Sequence, residues 1–261
     1  LNRLAEFMEK SQKIKGKVKA AMFYPIAVLI VAVIIVGILM TYVIPKFKTI
    51  FTDMLGEGEG LPEFTLLVLN ISDAIKNNLI AVIGGVVALF IVFKLITTKT
   101  KLGRRIWDKF KLIMPVLGDV VRKVAIARFS RTLGTLVSSG VPILQALNIV
   151  KETAGNVILT AAIEKVYDAV KEGETITKPL EASGVFPPMV ISMIDIGEET
   201  GALPEMLVRI ADVYEEEVDN AVTAMTSLLE PVMIVFLAVI VGSIVIAMFL
   251  PLIKMMDKLG A

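Results

Sequence analysis

Three long apolar runs constrain the fold of this chain of 261 residues more than any other feature. The runs 25–45 and 231–253 hold 21 and 23 residues without a charged side chain, and a helix needs about 20 residues to cross the hydrocarbon core of a bilayer. The run 79–96 is interrupted only by Lys94, whose long side chain can reach the headgroups. The sequence therefore predicts an all-α polytopic membrane protein with three transmembrane helices.

Charge asymmetry orients these spans. Residues 1–24 carry a net charge of +4, residues 46–78 one of −2 and residues 94–131 one of +9. Basic flanks of membrane spans lie preferentially in the cytoplasm. We therefore expect the N-terminal helix 1–24 and the basic juxtamembrane segment 97–121 inside the cell. The loop 46–78 and the tail 254–261 are expected outside, so that the C-terminus is extracytoplasmic.

Residues 122–226 are predicted to form a cytoplasmic helical domain. Residues 142–226 have the composition of a soluble protein with a net charge of −10, and apolar positions recur there at three and four residues. Gly140 ends one predicted helix and Pro142 begins the next, while Asn156 is placed to cap a third. This punctuation predicts a bundle of about six short helices.

The composition excludes much catalytic chemistry, because the chain contains no histidine and no cysteine. A cysteine nucleophile, a Ser-His-Asp triad, a zinc finger and an iron–sulfur cluster are therefore impossible within it. The Gly16-Lys17 pair lacks the upstream glycine and the following hydroxyl of a P-loop. These catalytic centres are therefore not expected in this chain, and an ATP-driven motor would have to be another chain.

An internal repeat links the two ends of the chain. A shift of 206 residues places 1–9 on 207–215 with four identities, and it aligns two pairs of prolines without a gap: Pro25 with Pro231, and Pro45 with Pro251. The alternative to duplication is convergent helix composition. A duplication implies that residue 1 begins inside a unit whose first part, about 85 residues resembling 122–206, precedes it. We therefore expect this chain to be a fragment of a longer protein, lacking an N-terminal cytoplasmic domain.

Four motifs, in order, resemble the type II secretion F protein family. They are Lys17-Val-Lys-Ala-Ala-Met-Phe-Tyr-Pro25, the span end Val43-Ile44-Pro45, the stretch from Phe129 to Leu147 and Gly197-Glu-Glu-Thr-Gly-Ala-Leu203. The positions that carry the resemblance are Lys17, Tyr24, Pro25, Val43, Ile44, Pro45, Phe129, Arg131, Gly140, Pro142, Gly197, Glu198, Gly201, Leu203, Glu230, Pro231 and Pro251.

The resemblance implies a platform protein in the inner membrane of a prokaryote, at the base of a type IV pilus or type II secretion machine. It implies a non-enzymatic, homo-oligomeric scaffold without a cofactor or metal, which works with a cytoplasmic hexameric ATPase, with pilin or pseudopilin and with other inner-membrane assembly proteins. Pilus, secretion, competence and archaeal filament systems are not distinguished by these residues. Two other functions stay open, a transporter or channel component and a membrane-anchored receptor. The spans 25–45 and 231–253 contain no ionisable side chain, which disfavours the transporter.

Several charged positions have two interpretations each. In one interpretation, Glu198 and Glu199 bind a basic partner or a divalent cation. In the other, they belong to a solvated turn between two helices. The run of Glu215, Glu216 and Glu217 is either an ATPase-facing surface or a solvated face. Glu230, at the edge of a span, is either hydrated or in contact with pilin. A basic collar around Trp107 favours anionic lipid over nucleic acid; its members are Lys99, Lys101, Arg104 and Arg105.

Overall fold

The computed structural model describes the backbone of residues 2–55 and 61–259, and the side chains of residues 16–51, 61–78, 80–254 and 256. Every regular element within these backbone ranges is a helix, which confirms the all-α prediction. The helices are α1 (Asn2–Ile38), α2 (Ile44–Leu55), α3 (Glu63–Asn77), α4 (Leu79–Lys99), α5 (Lys101–Ile113), α6 (Leu117–Ser138), α7 (Ile143–Thr153), α8 (Val157–Lys171), α9 (Thr177–Ala182), α10 (Pro188–Thr200) and α11 (Leu203–Leu259).

The chain divides into two compact units. The bundle unit contains Leu1–Ala21 and Lys94–Thr226, and the span unit contains Met22–Phe93 and Ser227–Ala261. Helices α1, α4 and α11 contribute residues to both units.

The bundle unit is built around one apolar core. Phe129 of α6 packs edge to face on Phe186, with ring centroids 4.9 Å apart. Each of the helices α6 to α11 contributes at least one fully buried side chain to this core, as apolar periodicity requires: Ile126, Leu133, Leu147, Ile163, Leu180, Ile194, Leu207 and Ile210. These six helices, within the described part of the chain, match the predicted bundle of about six.

Within the described residues, three segments are long and apolar enough to cross a membrane: Gly16–Phe51, Ile80–Lys99 and Leu203–Lys254. Their apolar side chains stay largely exposed, and the span unit has only a small buried cluster around Ile44 and Ile244. Removing a large aliphatic side chain from water is favourable by about 1.5–3 kcal/mol. Exposed apolar surfaces of this extent are therefore more stable in contact with lipid than with water. The chain is an all-α polytopic membrane protein.

The helical hydrogen-bond register changes just before Pro45. A π-helical turn, Leu39–Val43, joins α1 to α2, and within it the N–H of Ile44 donates to the carbonyl of Leu39, five residues back. In this register Pro45 would donate to the carbonyl of Met40, but proline has no N–H. The fully buried hydroxyl of Ser72, in α3, donates to the Met40 carbonyl instead.

Pro251 creates the same vacancy at the other end of the chain. A residue in an α-helix donates to the carbonyl four residues back, so Pro251, which lies inside α11, leaves the carbonyl of Ala247 without its usual donor. The hydroxyl of Thr65 donates to this carbonyl at 2.7 Å. Thr65 and Ser72 lie two turns apart on one face of α3. A single helix therefore satisfies carbonyls next to Pro45 and Pro251, one of the two proline pairs that the repeat aligns.

Two stretches contain helices that the sequence analysis did not assign. Residues 46–78, expected to be an extracytoplasmic loop, contain most of α2 and all of α3. The buried α3 side chains Thr65 and Val68 pack within the span unit. Residues 97–121, expected only to be a basic juxtamembrane segment, contain α5, which packs against α6 and α8.

Candidate functional site

The segment 197–203 brings α10 close to the first turn of α11. A Cβ atom on Gly197 would lie 3.0 Å from Cα of Leu203 and 3.1 Å from Cβ of Met206, so only glycine fits without a shift. Gly201 has a φ of 73° and ends α10 in the left-handed conformation that glycine adopts without steric cost. Gly134, which sequence reasoning missed, plays a matching role in α6, because its Cβ would lie 3.0 Å from Cβ of Leu207.

Glu198 caps another helix of the bundle. Its carboxylate accepts hydrogen bonds from the N–H of Ile176 at 2.9 and 3.1 Å, and from the hydroxyl of Thr177 at 3.0 Å. These donors lie at the beginning of α9, where a negative charge also interacts favourably with the helix dipole. This structural role differs from both interpretations of Glu198 made from sequence. Its neighbour Glu199 is exposed and remains a candidate for contact with a partner.

Arg131 connects α6 to α11 through two carboxylates. Its buried guanidinium donates from Nε to Glu215 at 2.8 Å and from Nη2 to Asp212. Burial by itself lowers the pKa of Arg131, but the hydrogen bonds and charges of Glu215 and Asp212 outweigh it and raise that pKa. Arg131, one of the family-motif positions, is therefore a structural cation between two helices.

The acidic run of α11 is only partly available to a partner. Glu217 pairs with Lys123 at 2.9 Å, and Asp219 pairs with Lys17, another motif position. Hydrogen bonds to Asp119 and Glu217 raise the pKa of Lys123. Glu215 is paired with Arg131 and Glu217 with Lys123, so Glu216 is the exposed member of the triplet 215–217 that has no ion pair among the described residues.

Helix α10 presents apolar side chains to solvent between acidic ones. Met189 and Ile196 are about half exposed and lie seven residues apart on one face. Asp195 and Glu199 lie beside them and are also exposed. We call these four residues the α10 surface.

The span unit contains an apolar groove. It has a volume of about 290 Å³ and is lined by residues of α1 and α11: Val28, Leu29, Ala32, Val33, Val36, Met233, Phe236, Leu237 and Ile240. Pro25 is buried, whereas Tyr24, Glu230 and Pro231 are exposed. Pro25 and its repeat partner Pro231 therefore differ in solvent exposure.

The predicted collar residues Lys99, Lys101, Arg104 and Arg105 are all exposed, at the end of α4 and in the first half of α5. Among the described residues, no group of three or more acidic side chains is arranged to hold a metal ion.

Comparison with known proteins follows the architecture just described. A sequence profile for the type II secretion system (T2SS), protein F, matches residues 1–45 and 129–251. The chain belongs to the type II secretion F protein family. The resemblance found in the four motifs is therefore confirmed, and the matched residues include both aligned spans and the bundle from residue 129 onward.

Several F-family relatives resemble the chain along its length. It is 46% identical over 252 residues to the type IV pilus assembly protein PilC of Myxococcus xanthus, covering 97% of this chain and 60% of that protein. It is 45% identical over 261 residues to PilC of Thermus thermophilus, covering 100% and 63%. It is 35% identical over 264 residues to the type II secretion system protein F of Pseudomonas aeruginosa, covering 100% and 63%. The chain thus spans about three-fifths of these relatives' lengths.

Proposed function

We propose that this chain is part of an inner-membrane platform protein of a filament-assembly machine. Membership of the type II secretion F protein family carries this proposal. Among the two kinds of machine, a type IV pilus is favoured, because identity to proteins named for pilus assembly reaches 46%, against 35% for a protein named for type II secretion. The platform is a scaffold and not an enzyme, and the energy for assembly comes from another chain.

The bundle unit is the proposed docking site for a cytoplasmic hexameric ATPase. Ion pairs within the unit already bind Glu215 and Glu217, so the acidic triplet is a weaker candidate than the sequence suggested. The α10 surface offers what a protein interface needs, exposed apolar side chains with charges at their rim. We therefore assign the docking surface to Met189, Ile196 and Glu199, with Glu216 as a separate acidic contact.

The span unit is the proposed place where pilin is handled. Pilins reach the machine from the bilayer, so an apolar groove open to lipid suits an apolar pilin helix. The groove between Val28 and Ile240 has this character. Glu230 is exposed and is the carboxylate available beside this span for a positively charged pilin N-terminus.

The docking proposal is tested by charge and polarity changes on the α10 surface. The variant I196D/E199K, made in the full-length protein and expressed in a piliated host that lacks its own copy, should lose co-purification of the assembly ATPase. Residues of this kind contribute enough binding free energy that their replacement lowers the affinity by about tenfold or more. Surface pili should disappear while the amount of the protein in the membrane stays unchanged.

The matched control is E172K, because Glu172 is exposed just after the end of α8 and is not part of the α10 surface. It changes the bundle charge as much as E199K does and should leave the ATPase bound. Normal ATPase binding by I196D/E199K would contradict the docking surface. Normal piliation after deletion of the whole protein would contradict the platform role itself.

A further inference from the structure

Helix α5 presents an apolar stripe that none of the described residues covers. Leu102, Ile106, Phe110 and Ile113 are 71%, 60%, 50% and 68% exposed. Their spacings of four, four and three residues place them on one face of the helix. Such a stripe on a protein surface marks a contact with something outside the chain.

A row of cations runs along the edge of this stripe. Lys101, Arg105 and Lys109 each precede a stripe residue by one position, so they form a parallel row at four-residue spacing. All three are exposed, and so is Arg104. The acidic residue of α5, Asp108, is buried, with 4% of its surface exposed. The outer side of α5 is therefore apolar and cationic, without an exposed carboxylate.

The opposite side of α5 is fixed to the bundle. Asp108 accepts a hydrogen bond from the N–H of Val157, at the beginning of α8, at 3.0 Å, and its second carboxylate oxygen pairs with Lys111 at 3.1 Å. Its main-chain carbonyl accepts from the side chain of Asn156 at 3.4 Å. These contacts set the rotation of α5 about its own axis, so the stripe cannot turn inward without breaking them.

The start of α5 is fixed to the end of α4. The hydroxyl of Thr100 accepts from the N–H of Gly103 at 3.1 Å, capping α5. A Cβ on Gly103 would lie 2.3 Å from the carbonyl oxygen of Ile96, so the turn is too tight for any other residue. Because α4 is apolar enough to span a membrane and ends at Lys99, α5 begins within two residues of the membrane edge.

We propose that α5 is an interfacial helix that binds the surface of an anionic lipid bilayer. The stripe inserts among the upper acyl chains, and Lys101, Arg105 and Lys109 contact lipid phosphates beside it. An apolar face bordered by basic residues is the pattern of helices that lie in the membrane plane. The proposal goes beyond the platform function and concerns residues 101–113, which lie outside the segments matched by the family profile.

The chain contains no native cysteine, so a maleimide labels only a cysteine that is introduced. I106C and the control E172C are prepared in the full chain and reconstituted into vesicles of phosphatidylcholine with phosphatidylglycerol. Labelling by a water-soluble maleimide should be slower at position 106 by on the order of tenfold, because the thiol is withdrawn from water. A nitroxide at position 106 should show greater access to dissolved oxygen than to a polar nickel complex, and one at 172 the reverse.

The charge component is tested separately. K101Q/R105Q/K109Q in the I106C background should restore much of the maleimide reactivity. The triple change should have a smaller effect in pure phosphatidylcholine, where no anionic lipid binds the cations. Equal labelling of positions 106 and 172 in vesicles would overturn the proposal. Protection that appears only at a high ratio of protein to lipid, or only with added protein partners, would assign the stripe to a protein interface and overturn it as well.

Discussion

Glu215 and Glu216 are neighbours in α11 but have different surroundings. The side chain of Glu215 is 20% exposed and accepts a hydrogen bond from Arg131 across the bundle. Glu216 lies on the solvent side of the same helix turn. Breaking a partly buried ion pair costs more stability than changing a solvated charge. The two glutamates should therefore respond differently to the same substitution.

We expect E215K to lower the thermal stability of the full chain in detergent, because it places a second cation beside the buried Arg131. Loss of a charged hydrogen bond of this kind costs about 2 kcal/mol, which corresponds to a fall of several degrees in the melting temperature, roughly 4–8 °C for a unit of this size. E216K should leave the melting temperature unchanged. Equal effects of E215K and E216K would contradict the assigned role of Glu215.

At this scale, local contacts are predictable from sequence and distant ones are not. Asn156 was predicted to cap a helix, and its side chain accepts from the N–H groups of Ile158 and Leu159, because a cap depends on residues two and three positions away. The partners of Arg131 and Glu198 lie more than 20 residues away in sequence. One sequence does not specify which of 26 acidic side chains folds back onto a given donor.

Among the elements, α3 binds the segments that precede Pro45 and Pro251 in the span unit through hydroxyl groups. Its Thr65 and Ser72 donate to the carbonyls of Ala247 and Met40. Both hydroxyls are buried, so a carbonyl that loses its donor there has no water to replace it.

T65V and S72A should each destabilise the chain in detergent by about 1 kcal/mol, the size measured for hydrogen bonds between membrane helices. S243A is the matched control, because the hydroxyl of Ser243 donates only to Ile240 in its own helix. Thermal unfolding of the three variants measures the difference. A loss of stability in S243A as large as that in T65V or S72A would argue against the special role of α3.

The amphipathic character of α5 was present in the sequence and was missed. The spacing of Leu102, Ile106 and Phe110 is visible without a structure, but the excess of basic residues suggested a charged collar alone. The structure adds the direction of the stripe, which depends on the distant contact of Asp108 with Val157. It also pairs Lys111 with Asp108, outside the exposed row of Lys101, Arg105 and Lys109.

For the whole molecule, the direction in which the chain crosses the membrane is the central prediction from charge. N77C and K165C place single thiols at exposed positions of α3 and α8. In intact cells, a membrane-impermeant maleimide should label N77C and should label K165C only after lysis, because basic flanks keep the bundle in the cytoplasm. Labelling of K165C in intact cells, with N77C protected, would reverse the orientation.

The spans and the fold class could be predicted because apolar runs of more than 20 residues have few other uses in a protein. The division into two units was less accessible. Residues 1–21 join the bundle unit with Lys94–Thr226, and the salt bridge between Lys17 and Asp219 is one of their contacts. Such pairing of distant segments depends on packing that apolar periodicity does not encode.

The hydroxyl pair of α3 also means that the helix segments next to Pro45 and Pro251 depend on one and the same helix. If α3 shifts, the carbonyls of Met40 and Ala247 both lose their donors, at a cost of about 1 kcal/mol each. A displacement of α3 would therefore remove a hydrogen bond from both segments at once. The two proline-containing segments are therefore expected to change conformation together rather than one at a time.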